Sequence, residues 1–146
     1  MPLARLRTAE TGQDAGLIST AYHNQMQIWL MKDGSVKVSR HSDREVTENG
    51  KKAVRSQLDS FVGNVKLRPG RWTKIAVVYD LRTVTLFVNG VMAGSMSSPP
   101  SRSAEWINHV IIGAKYSGIW NPSAHFKGDI RSVRMYGRNL DPSEFL

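Results

Sequence analysis

The sequence predicts one all-β domain, and three observations carry that prediction. Apolar residues recur with a period of two, rather than 3.6, along almost the whole chain. Two neighbouring segments, residues 74–79 and 84–88, are apolar on both faces, as strands inside a layered structure are. Short turn signals rich in Gly, Pro and Asn separate the runs. At 146 residues the chain has room for one domain with a real core. No internal repeat or low-complexity linker divides it.

Each element follows from local pattern. Residues 3–8 read as a strand, and residues 15–22 as another, entered through Gly12 and Gly16. Residues 25–30 alternate, with Met26, Ile28 and Leu30 on one face. They form a hairpin with residues 35–40 around Asp33-Gly34. Residues 41–53 are polar and contain Asn49-Gly50, which reads as a long exposed loop or a hairpin tip. Residues 54–67 read as one or two short strands, ended by Pro69-Gly70. In the next strand Ile75, Val77 and Tyr79 share one face and Ala76 and Val78 the other; Leu86 and Phe87 oppose each other in its partner. Asn89-Gly90 supplies the positive φ angles of a primed turn.

Residues 95–102 form a small-residue and proline loop, residues 110–113 a short buried strand, and residues 116–125 a second long loop. The last strand starts at Phe126. Its inward series Phe126, Gly128, Ile130 changes phase before Val133 and Met135, which requires a β-bulge at residues 131–132. Arg134 and Tyr136 then face away from Val133 and Met135. Asp141-Pro142-Ser143-Glu144 fits a helix start, with Asp as N-cap, Pro first and Glu third.

Composition narrows the function classes. Hydrophobic residues are 40% and charged residues 22% of the chain, as in an ordinary globular protein. With no cysteine, neither a disulfide framework nor a Cys nucleophile is available. No segment is apolar for the length of a membrane helix, so membrane insertion is not expected. The N-terminus lacks an apolar run before a small-residue cleavage site, so no signal peptide is expected, and no compartment follows. The net charge is +8, from 20 Lys+Arg against 12 Asp+Glu. The excess is spread over both halves, with no basic run longer than Lys51-Lys52, and reads first as a solvated basic surface.

The segments Arg71-Trp72 to Asp80, Val84 to Gly90 and Phe126-Lys-Gly-Asp-Ile to Leu140 together resemble a laminin-G-like domain of the concanavalin A-like lectin/glucanase superfamily. The resemblance rests on Trp72, Asn89, Gly90, Gly113, Phe126, Gly128, Val133, Arg134, Tyr136, Arg138 and Leu140. It is close over residues 69–146 and fair over residues 3–40. It implies a two-sheet antiparallel β-sandwich jelly roll, in which most of these residues are structural. The family pattern usually begins with one strand more, pairing near the C-terminal strand. The chain starts too late for a full version of it, which predicts an open sheet edge, a strand supplied by a larger parent, or pairing with a second subunit.

Candidate sites divide by chemistry. The superfamily's glucanases carry Glu-x-Asp-x-(x)-Glu on one strand face, which this sequence lacks. The nearest acidic cluster is Asp43, Glu45 and Glu48, and no nucleophile elbow or phosphate loop occurs, so no catalytic residue is assigned. The resemblance implies a calcium ion as the one candidate cofactor, held by oxygens of Asp129, Asp80 and Asn89. His23, His41, His109 and His125 show no close metal-ligand spacing. Sugar rings need aromatic faces beside fixed polar groups. The loops offer Trp106 with Asn108 and His109, and Tyr116 with Trp120 and Asn121. Arg131, Arg134 and Arg138 form a candidate strip for a phosphate, a sulfate or an acidic protein. Nucleic acid would need aromatics interleaved with a basic patch and is not favoured.

The sequence therefore predicts a non-catalytic binding module, first of all for a glycan. The alternative is a structural or interaction subunit of a virion or a multidomain surface protein, self-associating through an open edge.

Overall fold

The computed structural model describes residues 2–8, 14–20, 26–101, 110–116 and 122–144. Its strands are β1 (Pro2–Thr8), β2 (Ala15–Thr20), β3 (Met26–Leu30), β4 (Ser35–Glu48), β5 (Lys51–Lys66), β6 (Thr73–Tyr79) and β7 (Thr83–Val88). They continue as β8 (Val91–Ser97), β9 (Val110–Ile112), β10 (Lys115–Tyr116), β11 (Pro122–Ser123) and β12 (Gly128–Met135), followed by a 3-10 turn at Pro142–Glu144. One five-stranded sheet runs β12-β1-β6-β7-β8 and the other β5-β4-β3-β2-β9, with β10 and β11 as a small separate ribbon. Every pairing is antiparallel.

The core lies between the two sheets. Ile75 and Val77 of β6 and Val84, Leu86 and Val88 of β7 meet Leu17, Ile18, Ile28, Leu30, Val36 and Val38 from the other sheet. Burying each such side chain contributes about 1.5–3 kcal/mol. The opposite face of β6 and β7 is apolar for a second reason. Leu140 and Tyr136 of the C-terminal tail pack there against Ala76, Val78 and Phe87. The tail is held by reciprocal capping: Ser143 N–H donates to Asp141 Oδ1 at 3.0 Å and Asp141 N–H to Glu144 Oε2 at 2.7 Å. Arg138 clamps the same glutamate at 2.9 Å.

Turn chemistry holds where the sequence predicts it. Asn89 and Gly90 have φ angles of 51° and 82°, and Asn49 and Gly50 of 51° and 73°. Both pairs close two-residue primed turns. The β-bulge also stands. Arg5 pairs with Ser132 and Leu6 with Ile130, leaving Arg131 as the extra residue.

Three expectations are corrected. Residues 41–66 hold no long loop and no broken strand. β4 and β5 are continuous on either side of the Asn49-Gly50 turn, so the hairpin-tip alternative is the correct one. Their outer halves pair only with each other, outside the core, so apolar periodicity does not register there. Cross-strand ion pairs such as Glu45–Lys52 (3.0 Å) lie on them instead. Second, β9 is an edge strand, with Val110 and Ile112 exposed rather than buried. Third, Met135 is exposed at the end of edge strand β12, although Ile130 and Val133 pack inward as expected. The strand expected at residues 3–8 is β1, which lies between β12 and β6 and pairs with both.

Glycines let layers meet closely. A Cβ on Gly16 would lie 2.3 Å from the Ala114 carbonyl carbon, and Gly16 N–H donates to Ala124 O at 2.8 Å. The chain around β10 and β11 is thereby pressed onto β2. Gly16→Ala must displace backbone and is expected to cost about 2–3 kcal/mol in urea unfolding. Gly50→Ala meets no neighbour and is expected to lose only about 1 kcal/mol, through its positive φ.

Candidate functional site

Strand polarity gives the sandwich two unlike ends. At one lie the Gly34 turn, the Pro69-Gly70 turn, the Asn89-Gly90 turn and the start of β12, knit by Leu67 N–H to Gly34 O at 2.7 Å. At the other lie Asp80 and the free half of the β4–β5 ribbon.

The ribbon end is organised by a buried charge network. Asp59, 8% exposed, accepts Ser42 Oγ–H at 2.6 Å, Ser98 Oγ–H at 2.9 Å and an Arg44 N–H at 2.9 Å. Burial opposes its charge, but hydrogen bonds from Ser42, Arg44 and Ser98 outweigh it and hold the carboxyl below its ordinary range. Arg40 is also buried; it donates to Ser98 Oγ at 3.1 Å and Pro99 O at 2.8 Å, and stacks 3.9 Å above the Tyr79 ring. Asp43 N–H adds a bond to Pro100 O at 3.3 Å. Residues 98–101 are thus fixed against β4 and β5 just before the segment that carries Trp106 and His109.

The predicted calcium oxygens do not converge. Asp80 Oδ1 accepts the N–H groups of Thr83 (2.7 Å) and Arg82 (2.9 Å), which lower its pKa. Asn89 Oδ1 accepts Lys74 N–H at 2.9 Å. The two close opposite ends of one hairpin, roughly 20 Å apart at strand rise, so they cannot share an ion. Asp129 stands on β12 opposite Arg7. Among the described residues no three His, Asp or Glu side chains group as metal ligands.

The predicted arginine strip is divided. Arg138 binds Glu144 and belongs to the tail clamp. Arg134 is exposed on β12, opposite Leu3. Arg131, in the bulge, lies 6.0 Å from the Trp72 ring centroid. Trp72 itself is 36% exposed rather than part of the core.

Of the predicted aromatic residues, Trp106, His109, Trp120 and Asn121 lie outside the described residues. Tyr116 closes β10, opposite Pro122. The residue before it, Lys115, sets its ammonium 4.8 Å from the Trp29 ring centroid. Trp29 was not singled out from sequence. It alternates with the buried Ile28 and Leu30, so it lies on the face of its sheet away from the core, half-buried, with Nε1–H donating to Gln27 Oε1 at 3.2 Å. The available signal was a Trp at an outward position of an otherwise amphipathic strand.

Two antiparallel sheets packed face to face define a concanavalin A-like jelly-roll sandwich. The chain belongs to the laminin-G-like family of the concanavalin A-like lectin/glucanases superfamily, whose family model matches residues 4–145. Among curated proteins, no sequence matches the chain. Similar solved structures include the CBM40 of Ruminococcus gnavus IT-sialidase bound to α2,3-sialyllactose, with TM-score 0.71, 15% identity, and 99% of this chain on 78% of that one. Domains LG4-5 of the mouse laminin α1 chain align with TM-score 0.68 and 14% identity, over 97% of this chain and 36% of that one. Domain 4 of AbnA, an extracellular arabinanase from Geobacillus stearothermophilus, in complex with arabinotriose, aligns with TM-score 0.61 and 20% identity, over 99% and 63%. The chain spans under two thirds of the last two. At these identities the likeness is one of fold.

Two measurements test the network. Because the folded Asp59 carboxyl titrates below its unfolded value of about 3.9, its contribution is present above that pH and lost as pH falls through the folded pKa. Asp59→Asn should flatten the loss of stability on acidification below about pH 4, and Asp59→Ala should cost about 1–3 kcal/mol at pH 7 by leaving the buried Ser42 and Ser98 hydroxyls without their acceptor. The Tyr79 hydroxyl is buried and, among the described residues, has no hydrogen-bond partner. Tyr79→Phe should therefore be neutral or stabilising by up to about 1 kcal/mol in thermal unfolding.

Proposed function

We propose that this domain is a non-catalytic module that binds carbohydrate. The observation that carries the reading is the Trp29–Gln27 pair on the outer face of its sheet, beside the strand that leads into Tyr116, Trp120 and Asn121. An indole beside a fixed amide and an ammonium group suits a sugar, whose C–H face lies on an aromatic ring while its hydroxyls take hydrogen bonds. Two neighbours of the same fold, the Ruminococcus gnavus CBM40 and the arabinanase domain, are described with sialyllactose and arabinotriose bound. The nearest acidic cluster supports a non-catalytic role. Glu45 and Glu48 lie on the exposed ribbon, tied to Lys52 and Arg55 at 3.0 and 2.6 Å. Among the described residues, no helix is long and apolar enough to cross a membrane.

A second reading, an interaction subunit of a larger assembly, is favoured by edge strand β5. Val54, Leu58 and Val62 recur on one of its faces and are 38%, 55% and 53% exposed. A glycan-array screen with and without calcium, on wild type, Trp29→Ala and Trp120→Ala, separates the two. Selective binding lost in either variant is the expected result. A folded wild type that binds no glycan under either condition, but self-associates in sedimentation and loses this with Leu58→Lys, would replace the first reading by the second.

A further inference from the structure

Residues 68–72, Arg-Pro-Gly-Arg-Trp, place unusual chemistry at the turn end of the sandwich. Arg71 N–H donates to Arg68 O at 3.3 Å, and Gly70 has a φ of 78°. This is a turn with Pro and Gly at its two central positions, where only glycine adopts the second conformation freely. The first and last residues of such a turn have Cα atoms within about 7 Å of each other. Arg68 and Arg71 therefore project from one small patch, and both are exposed. Trp72 follows directly. Together with Lys66 and Asn89 they line a groove of about 320 Å³. Arg131 reaches the same indole from across β1, where the bulge turns it out of the regular alternation.

The described lining of the groove carries net positive charge. Among the described residues no carboxylate lines it and none forms a salt bridge with Arg68, Arg71 or Arg131; Lys66 is paired with Asp33 at 3.6 Å. Asp43, Glu45, Glu48 and Asp80 stand at the opposite end of the sandwich, while Asp33, paired with Lys66, and Asp129, at the start of β12, lie at this one. Like charges gathered on one patch repel one another, and an anion placed among them relieves this. Guanidinium forks match the paired oxygens of a carboxylate or a sulfate. The indole supplies a face for the apolar side of a sugar ring. The volume stands at the lower end of small-ligand sites, about 300 Å³.

We propose that the Arg68–Arg71–Trp72 groove, with Arg131 beside its indole, is a subsite for an anionic sugar, taking a carboxylate or sulfate group at the guanidinium groups and the ring against Trp72. The proposal rests on the reading that the domain binds carbohydrate. It adds a site at the end of the sandwich, apart from the Trp29 face, and a class of ligand.

Isothermal titration with an oligogalacturonate, a sulfated oligosaccharide and the neutral parent of each tests it, at low and high salt. Either anionic sugar should bind at least tenfold more tightly than its neutral parent, and the preferred one tells carboxylate from sulfate. The Arg71→Ala/Arg131→Ala double variant should lose that preference while keeping any affinity for the neutral parent. Lys51→Ala/Lys52→Ala, at the far ribbon tip, should keep it. Trp72→Phe, which preserves a ring, should weaken binding less than Trp72→Leu, with melting curves showing that each variant is folded.

The proposal is overturned if charged and neutral sugars bind alike, or if the ribbon-tip variant loses as much as the groove variant, which would mean diffuse attraction. A duplex oligonucleotide that binds more tightly than either glycan, dependent on Arg71, overturns the sugar assignment. Binding of neutral sugars alone sinks this inference and leaves the carbohydrate reading standing. Absence of binding by every sugar, charged or neutral, removes both.

Discussion

The structure depends on one constraint: the β6–β7 hairpin is apolar on both faces and must be covered twice. Its inner face meets the second sheet through Val77, Val84 and Leu86. Its outer face is closed by the tail through Leu140 and Tyr136. Each cover ties distant segments together, since the tail follows β12, which pairs with β1, which pairs with β6. The Arg138–Glu144–Asp141 cluster then matters less for the net energy of exposed charges, which is small, than for fixing the direction of the tail.

The second organising feature is polar. Asp59, Arg40, Arg44, Ser42 and Ser98 make a buried network where β4 and β5 leave the core and become a free ribbon. Its one ion pair, Asp59 to Arg44, has a buried carboxylate and a partly exposed guanidinium. Its geometric consequence is plainer: the segment at residues 98–101 is fastened along β4 beyond the end of β3. Core, network and ribbon thus grade from apolar to charged along one continuous hairpin.

These constraints leave the recognition chemistry on surfaces that packing does not use. Trp29 lies on the outer face of one sheet, and Trp72 with its arginines lies at the end where turns gather. Both tryptophans are partly exposed while Leu30, Val77 and Leu86, near them in sequence or in space, are buried. Large aromatic groups left in solvent contact are informative in a way that a buried Leu is not.

Much of this was legible in the sequence. Period-two alternation, the Asn89-Gly90 and Asp33-Gly34 turns, the phase change before Val133 and the capping pattern at Asp141 are local signals, set by backbone sterics and side-chain spacing, and they survive folding. What covers each face is not local. The sequence alone did not show that β1 fills the place beside β12, that Tyr136 and Leu140 cover Phe87, or that β4 and β5 run on as a ribbon whose polar residues carry no core periodicity. Nor did it show that Asp80 and Asn89 are spent on opposite turns while Arg131 meets Trp72 across β1. Those outcomes depend on register and on contacts between residues far apart in the chain, and only the tertiary structure decides which side chains the same alternating pattern leaves free to bind.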